Sequence, residues 1–309
     1  MTKIYTCTMN PAIDLFIQTD TMLPKIVNRT QQDDVQANGK GVNVSLVLKM
    51  MGIDNSAIGF SGGFTGRYIV DFLKEKGIDT DFVEVDGVTR INVFTHVEDQ
   101  NVEYKLVNRG PKIKQDSMTE LLEQIRRINA NDFLCVSGSL PQGISPQIFV
   151  EISRICHKNK VNLIIDSSYP EILDCLPYRP FLLKPNEEEL AGWFDLTEIS
   201  PRDYEYFLRQ VLNRGAQNIL LSLGGEGAIF INEKNYLKGN SPKGKLVNSA
   251  CAGDTLLATF LGGMVKGKEL SGNLKKAIAA GSSTAFQMGL TDFSDVSELE
   301  EQIVIERGE

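Results

Sequence analysis

The chain has 309 residues, 42% hydrophobic and 23% charged, with Gly 27 and Pro 11. These are ordinary globular proportions, and they exclude disorder, collagen and long coiled coils. The formal net charge of −8 excludes the basic footprint of a nucleic-acid binder but not a local cationic cleft for a small anion.

The chain opens with a strand-like run, Lys3 to Thr8, ended by Asn10-Pro11. Ala12 to Ile17 follows with near period-two spacing. Gly41 to Met51 predicts a helix stopped by Gly52. Ser56 to Phe60 is a short buried strand, and Tyr68 to Lys76 a helix closed by Gly77. Arg90 to Val97 and Val102 to Val107 predict a hairpin around Glu98-Asp99-Gln100-Asn101. After Gly110-Pro111 the rhythm changes. Helices over 117–128, 146–159, 186–193 and 202–214 alternate with strands over 133–137, 161–166, 181–184 and 218–223. Apolar strands alternating with amphipathic helices indicate parallel βαβ units and a sheet covered on both faces. The end reads as helical: 255–265, 274–288 and 297–305.

The expected organisation is one α/β domain made of residues 1–10, 37–88 and 108–309. Segments 11–36 and 89–107 do not fit the βαβ rhythm. They predict a small separate β-sheet over the carboxyl edge of the main sheet, where α/β proteins bind ligands.

Cys7, Cys135, Cys156, Cys175 and Cys251 show no C-x-x-C spacing and read as free thiols in a reducing compartment. His96 and His157 are the only histidines, which excludes a His-rich metal centre. Met1 to Asn10 lacks an apolar signal core. No apolar run approaches the ~18 residues of a membrane span. The expected location is cytoplasmic, with neither membrane nor nucleic acid as partner.

G-x-G-x-x-G is absent, and the near miss to a Walker A pattern at Gly262 to Lys268 continues with Glu269, so it reads as a helix stop. Four other segments are richer. Asn248 to Thr255 precedes an apolar helix, and its small residues would let an anion reach the helix start. Asp254 there is either an N-cap or a general base beside a phosphate site. Ala37 to Val44 also opens a helix, with Lys40 and Asn43 as polar groups. Lys184-Pro185-Asn186-Glu187-Glu188-Glu189 is either a capping box of Asn186 and Glu189 or a phosphate and magnesium-water site. Ser222 to Ala228, with Gly224, Gly225 and Gly227, is a hairpin turn or a nucleotide loop. Each segment is ambiguous alone. Together they fit one phosphate-handling cleft.

The combination resembles the PfkB (ribokinase-like) carbohydrate kinases. A-G-D at 252–254 matches the C-terminal signature of that family, and G-K-G-V-N-V-S at 39–45 with L-x-x-M-G matches the N-terminal one. Further matches are T-M-N-P-A-I-D at 8–14, G-F-T-G at 63–66, T-R-I-N-V at 89–93, S-G-S-L-P-x-G at 137–143, D-S-S at 166–168, K-P-N-x-x-E-L at 184–190 and S-L-G-x-x-G-A at 222–228. N-P-A-x-D, G-K-G-x-N-V and T-R-I-N-V look most like the hexose-phosphate branch, which holds 1-phosphofructokinase, tagatose-6-phosphate kinase and the minor 6-phosphofructokinase. T-R-I-N-V, G-F-T-G and G-L-T-D at 289–292 are most similar to the first of these.

The resemblance implies a three-layer α/β/α domain with a mostly parallel sheet and a β lid that often forms a dimer contact. It implies transfer of the ATP γ-phosphoryl group, with Mg2+ and in some members a monovalent cation, to the 6-hydroxyl of fructose 1-phosphate. Tagatose 6-phosphate and fructose 6-phosphate are the rival acceptors, and a non-catalytic sugar-phosphate sensor is the rival of another class. Residue by residue, Asp254 matches the catalytic base, with the Ala252 and Gly253 backbone as its anion hole. Asp14, Gly39, Lys40 and Asn43 match sugar positions, and Arg90, Lys105 and Ser139 match sugar-phosphate contacts. Lys184, Asn186, Ser222, Gly224, Gly225, Gly227 and Ser282 match nucleotide positions, and Glu189 the acid linked to magnesium through water. Cys251 stands where the family usually has Gly. The expectation is ordinary dihedrals there, or a slightly shifted loop, because a side chain disfavours positive φ.

Overall fold

The computed structural model describes residues 2–308. Fourteen strands are named in chain order. The first seven are β1 (Ile4–Thr8), β2 (Ala12–Thr19), β3 (Gln32–Asn38), β4 (Asn55–Gly62), β5 (Asp79–Val85), β6 (Arg90–Val97) and β7 (Val102–Leu106). The rest are β8 (Phe133–Ser137), β9 (Asn162–Asp166), β10 (Leu182–Leu183), β11 (Asn218–Ser222), β12 (Ala228–Asn232), β13 (Tyr236–Gly239) and β14 (Ile305–Arg307). They form two sheets. The large one runs β14-β13-β12-β11-β10-β9-β8-β1-β4-β5, and the small one β3-β2-β6-β7. From β11 to β5 every neighbour is parallel. The β11 to β14 end is antiparallel.

The helices are α1 (Lys40–Met50), α2 (Gly63–Glu75), α3 (Gln115–Arg126), α4 (Gln147–Asn159), α5 (Glu187–Gly192), α6 (Tyr204–Asn213), α7 (Ala252–Val265), α8 (Leu270–Ala285) and α9 (Val296–Glu301). Strand side chains alternate between faces, so each central strand feeds two cores. Leu134 and Val136 of β8, Leu163 and Ile165 of β9 and Ile219 and Leu221 of β11 join one core with α3, α4 and α6. Cys135, Ile164 and Leu220 from the same strands join the other, with α1, α7 and α8. Runs apolar at every position are what burial on both faces requires. The three-layer α/β expectation therefore holds.

Several elements differ from the sequence reading. β5, β12 and β13 were not expected, and β3 only as part of the β-rich segment 11–36. β3 is mostly exposed, and its strand character comes from full antiparallel pairing with β2. The predicted helix over 297–305 stops at Glu301, and the chain then adds β14 to the sheet edge. In the small sheet β2 and β6 pair in parallel from Ala12–Arg90 to Thr19–Val97. Alternation again divides its residues. Asp14, Phe16, Asn92 and Phe94 share one face, and Leu15, Val35, Val93 and Leu106 form a row on the other. No helix among the described residues is long and apolar enough to cross a membrane.

Candidate active site

The carboxyl ends of the parallel strands converge on a cavity of about 390 Å³. The small sheet closes one side with Asp14, Arg90 and Asn92. Strand ends and helix starts of the large sheet supply Lys40, Asn43, Lys184, Asn186, Glu189, Ser222, Gly253 and Asp254. A second cavity of about 800 Å³ lies beside it, lined by Gly224, Gly225, Gly227, Leu256, Ile278, Ser282 and Phe286 among others. The two meet at Asn186, Ser222 and Gly253, which line both. Every site residue expected from the sequence lines one of these cavities except Lys105 and Ser139.

Ser139 is peripheral. Its hydroxyl lies 3.4 Å from an Arg90 guanidinium nitrogen. Lys105 sits elsewhere. It pairs across the sheet with Phe94, four residues along β6 from Arg90, and so roughly 13 Å farther out at strand rise. There it lines a third cleft with Phe16, His96 and the 246–249 loop. Lys105 therefore lies apart from Arg90 and from the smaller cavity.

Asp254 occupies the first turn of α7 and is 6% exposed. The amide of Asn43 donates to its Oδ2 at 2.8 Å. Burial and the nearby Asp166 push its pKa up to about 6, against the opposing pull of Lys40 and Lys184. The expected pair of Ala252 and Gly253 donors is corrected by one residue: the Ala252 N–H is taken by the Ser249 carbonyl at 3.4 Å, whereas those of Gly253 and Asp254 have no backbone partner among the described residues, so these two donors and the positive end of α7 face the cavity. A Cβ on Gly253 would meet only the Lys184 ammonium, at 3.6 Å. The missing side chain keeps the passage between the cavities open.

Asp166 ends β9 and is fully buried. Its Oδ1 takes both lysines, Lys40 at 3.0 Å and Lys184 at 3.2 Å. Burial pushes this carboxyl up, but the two cations outweigh it and hold the pKa below the usual carboxylate range. The ion cluster therefore concentrates negative charge in Asp166 and leaves Asp254 the more basic carboxylate. Across the cavity, Asp14 is fixed through both oxygens. Asn92 donates to Oδ1 at 2.8 Å and Asn38 to Oδ2 at 2.6 Å. Burial raises its pKa, with those bonds and Arg90 opposing.

Asn186 and Glu189 form a complete capping box at the start of α5. One oxygen of each is thereby used, while both residues still line the cavity. Ser222 to Gly227 is the turn joining antiparallel β11 and β12, and Gly227 is required there: a Cβ would overlap the Gly239 carbonyl at 2.0 Å. The bland readings of both segments thus hold together with their place in the cavities. Gly39, at φ +135°, and Gly41 pack so tightly on Thr8 and Pro11 that side chains would collide, which seats Lys40 at the cavity floor.

Cys251 overturns one expectation. It precedes α7 with φ 64° and ψ −5°, so it takes the glycine conformation that the sequence argued against. Ordinary dihedrals are thereby excluded, although helix starts usually carry an extended residue. A left-handed residue with a side chain costs roughly 1–2 kcal/mol, and a β-branched one more. We expect Cys251→Val to be less stable than Cys251→Gly by at least about 1 kcal/mol in urea denaturation. Burial pushes the thiol up to about 12, so it is protonated at neutral pH and a poor target for oxidation.

Asp166, Asn38 and Asn92 carry no role in the sequence reading. D-S-S and T-R-I-N-V placed Asp166 and Asn92 in recognised segments. Only the fold shows that their side chains hold Lys40, Lys184 and Asp14.

Comparison with known proteins agrees with this geometry. Residues 7–296 match the family described as pfkB family carbohydrate kinase. The chain is 47% identical over 303 residues to the D-tagatose-1-phosphate kinase of Bacillus licheniformis, covering 98% of this chain and 99% of that one. It is 35% identical to the 1-phosphofructokinase of Bacillus subtilis, covering 94% and 95%. The phosphofructokinase-2 of Escherichia coli in complex with fructose-6-phosphate superposes with a TM-score of 0.89 at 27% identity, covering 97% of this chain and 99% of that one. The chain belongs to the pfkB family of carbohydrate kinases, and its activity class is that of an ATP-dependent phosphotransferase.

Proposed function

We propose that this kinase moves the γ-phosphoryl group of ATP to the 6-hydroxyl of a ketohexose 1-phosphate, with Asp254 as base. The observation that carries this reading is the buried Asp254 carboxylate, fixed by Asn43 beside two free N–H groups at the start of α7. Fructose 1-phosphate is the acceptor expected from the sequence. The 47% identity to a kinase named for tagatose 1-phosphate favours the C4 epimer as a second acceptor. Both keep the same end reacting.

Phosphoryl transfer depends on positioning and charge stabilisation more than on covalent chemistry. In this reading Asp14 binds sugar hydroxyls, while Arg90 and Lys40 meet the anionic end. Asp254 takes the proton from the attacking hydroxyl. The backbone donors of Gly253 and Asp254, with Lys184, stabilise the charge on the group in flight. The apolar walls and glycine turn of the larger cavity suit a purine base and ribose. The small sheet acts as a lid that excludes water, the competing acceptor.

No cluster of three or more His, Cys, Asp or Glu that could hold a metal occurs among the described residues. Nearby donors are the second carboxylate oxygen of Glu189 and the remaining lone pair of the Asn186 amide oxygen, which already accepts from the Glu189 N–H. That set fits a magnesium ion that keeps most of its waters and arrives on the nucleotide phosphates. When bound, it would neutralise phosphate charge, with Glu189 reaching it through water. A monovalent cation remains part of the proposal from the family resemblance.

The row Leu15, Val35, Val93 and Leu106 leaves apolar surface outward, with Leu106 63% exposed. We place a homodimer contact there; a monomer in sedimentation equilibrium would contradict it.

The pH dependence follows from Asp254. Its ionised form is the base, and its pKa is raised to about 6. Activity is therefore present above that pH, and kcat/KM is expected to fall tenfold per unit below it. A profile flat to pH 5 would oppose the assignment. The reaction itself is tested by phosphorus NMR of the product from each ketohexose 1-phosphate. A 1,6-bisphosphate is expected, and ATP hydrolysis without a new phosphomonoester would refute the reading.

A further inference from the structure

Asn38 is the last residue of β3, where the small sheet meets the start of α1. It lines the smaller cavity, and its side chain has no free valence of obvious use to a substrate. The Nδ2 group donates to Asp14 Oδ2 at 2.6 Å. The Oδ1 atom accepts from the Gly39 N–H at 2.6 Å and from Asn43 Nδ2 at 2.9 Å. These partners fix which end of the amide points where, because Asp14 can only accept and Gly39 N–H can only donate. Asn43 in turn spends its other amide hydrogen on Asp254 Oδ2, at 2.8 Å. A continuous chain therefore runs Asp14, Asn38, Asn43, Asp254. It starts on a strand of the small sheet and ends on α7.

We propose that Asn38 is a positioning residue for the transfer: it ties the carboxylate that meets the acceptor sugar to the amide that aims the base. This rests on the roles given above to Asp14 and Asp254. If the small sheet moves when sugar binds, Asp14 and Asn38 move together, since their strands β2 and β3 are paired and their side chains are hydrogen-bonded. The shift reaches Asn43 through one hydrogen bond. Acceptor binding and base alignment then become one event, which favours attack by sugar over attack by water. Cooperative chains of this kind are worth more than their separate bonds.

The test measures kcat, acceptor KM, Mg-ATP KM and the acid limb of kcat/KM for the parent, Asn38→Ala, Asn38→Asp and Asp254→Asn. In Asn38→Ala both ends of the link are lost. Acceptor KM should rise and kcat fall, each about tenfold, with Mg-ATP KM within twofold of the parent. The acid limb should move to higher pH, because an unaimed Asn43 stabilises the Asp254 carboxylate less. Of the other groups facing Asp254, Asp166, Lys40 and Lys184 keep their partners in this variant, and Cys251 loses only the 3.9 Å contact of its sulfur with the Asn38 amide while keeping that with Asn43 at 3.2 Å. Asn38→Asp keeps the volume and both acceptor bonds but sets a second carboxylate against Asp14. It should raise acceptor KM while keeping more of kcat than Asn38→Ala does, and it serves if the alanine variant fails to fold. A change in KM alone or in kcat alone in Asn38→Ala, or an unmoved acid limb, overturns the proposal. Asp254→Asn separates the two failures. Near-parental turnover there defeats the base assignment itself, whereas an inactive Asp254→Asn beside a normal Asn38→Ala defeats only the link.

Discussion

Replacing Asp254 by asparagine is expected to lower kcat by about 10²–10⁴-fold, the usual contribution of a positioned acid or base. The amide fills the same volume and keeps a partner for Asn43, so acceptor binding should survive. The same substitution should raise thermal stability at pH 8. The folded-state pKa of Asp254 is raised, to about 6, so holding it ionised costs stability wherever pH exceeds that value. Protonation favours the fold, and the cost vanishes as pH falls through 6 toward the ordinary carboxylate value. The gain in Tm for Asp254→Asn should therefore be largest in alkali and fade below pH 6. An active enzyme more stable with asparagine and still turning over normally would mean that another group takes the proton.

The second large effect is expected at Asp166. It neutralises two lysines with one oxygen, and Lys184 is only 5% exposed. Removing one member of a buried pair costs about 3–5 kcal/mol. Lys40 is 39% exposed on its side chain, so water takes over part of its charge, and Asp166→Asn should cost about 3 kcal/mol. That is a fall of roughly 6 °C in Tm for a chain of this size. The acid limb of kcat/KM should also move downward, because the like charge that raises Asp254 is gone. A stable variant with an unmoved limb would show that the lysines find their counter-charge elsewhere.

Much of this arrangement was legible in the residues. The strands at 133–137, 161–166 and 218–223 announced themselves because burial on both faces makes every position apolar. Three of the four polar and glycine segments fell at strand ends, which is where an α/β sheet gathers a site, and the fourth, 248–255, at the start of α7. Asp254, Lys40 and Asn43 were singled out for that reason. β3 was not, since Gln32 to Gln36 is polar and exposed and becomes a strand only through β2. The helix expected over 297–305 failed because Ile303 and Ile305 follow its apolar spacing while serving the sheet edge. Asn92 and Asp166 stayed silent because their partners are distant in the chain. The bond from Asn92 to Asp14 spans 78 residues and the Lys40–Asp166 pair 126. No local pattern encodes such a meeting. Cys251 was misjudged for the opposite reason. A general backbone preference argued against positive φ, and the residue takes φ 64° all the same.

The most direct test of the account is a parallel measurement of kcat/KM with Mg-ATP and four acceptors: fructose 1-phosphate, tagatose 1-phosphate, fructose 6-phosphate and tagatose 6-phosphate. The account predicts that at least one 1-phosphate exceeds both 6-phosphates by tenfold or more, about 1.4 kcal/mol in transition-state binding. A tenfold preference for either 6-phosphate would reverse the sugar in the cavity and contradict the assignment of its 6-hydroxyl to Asp254.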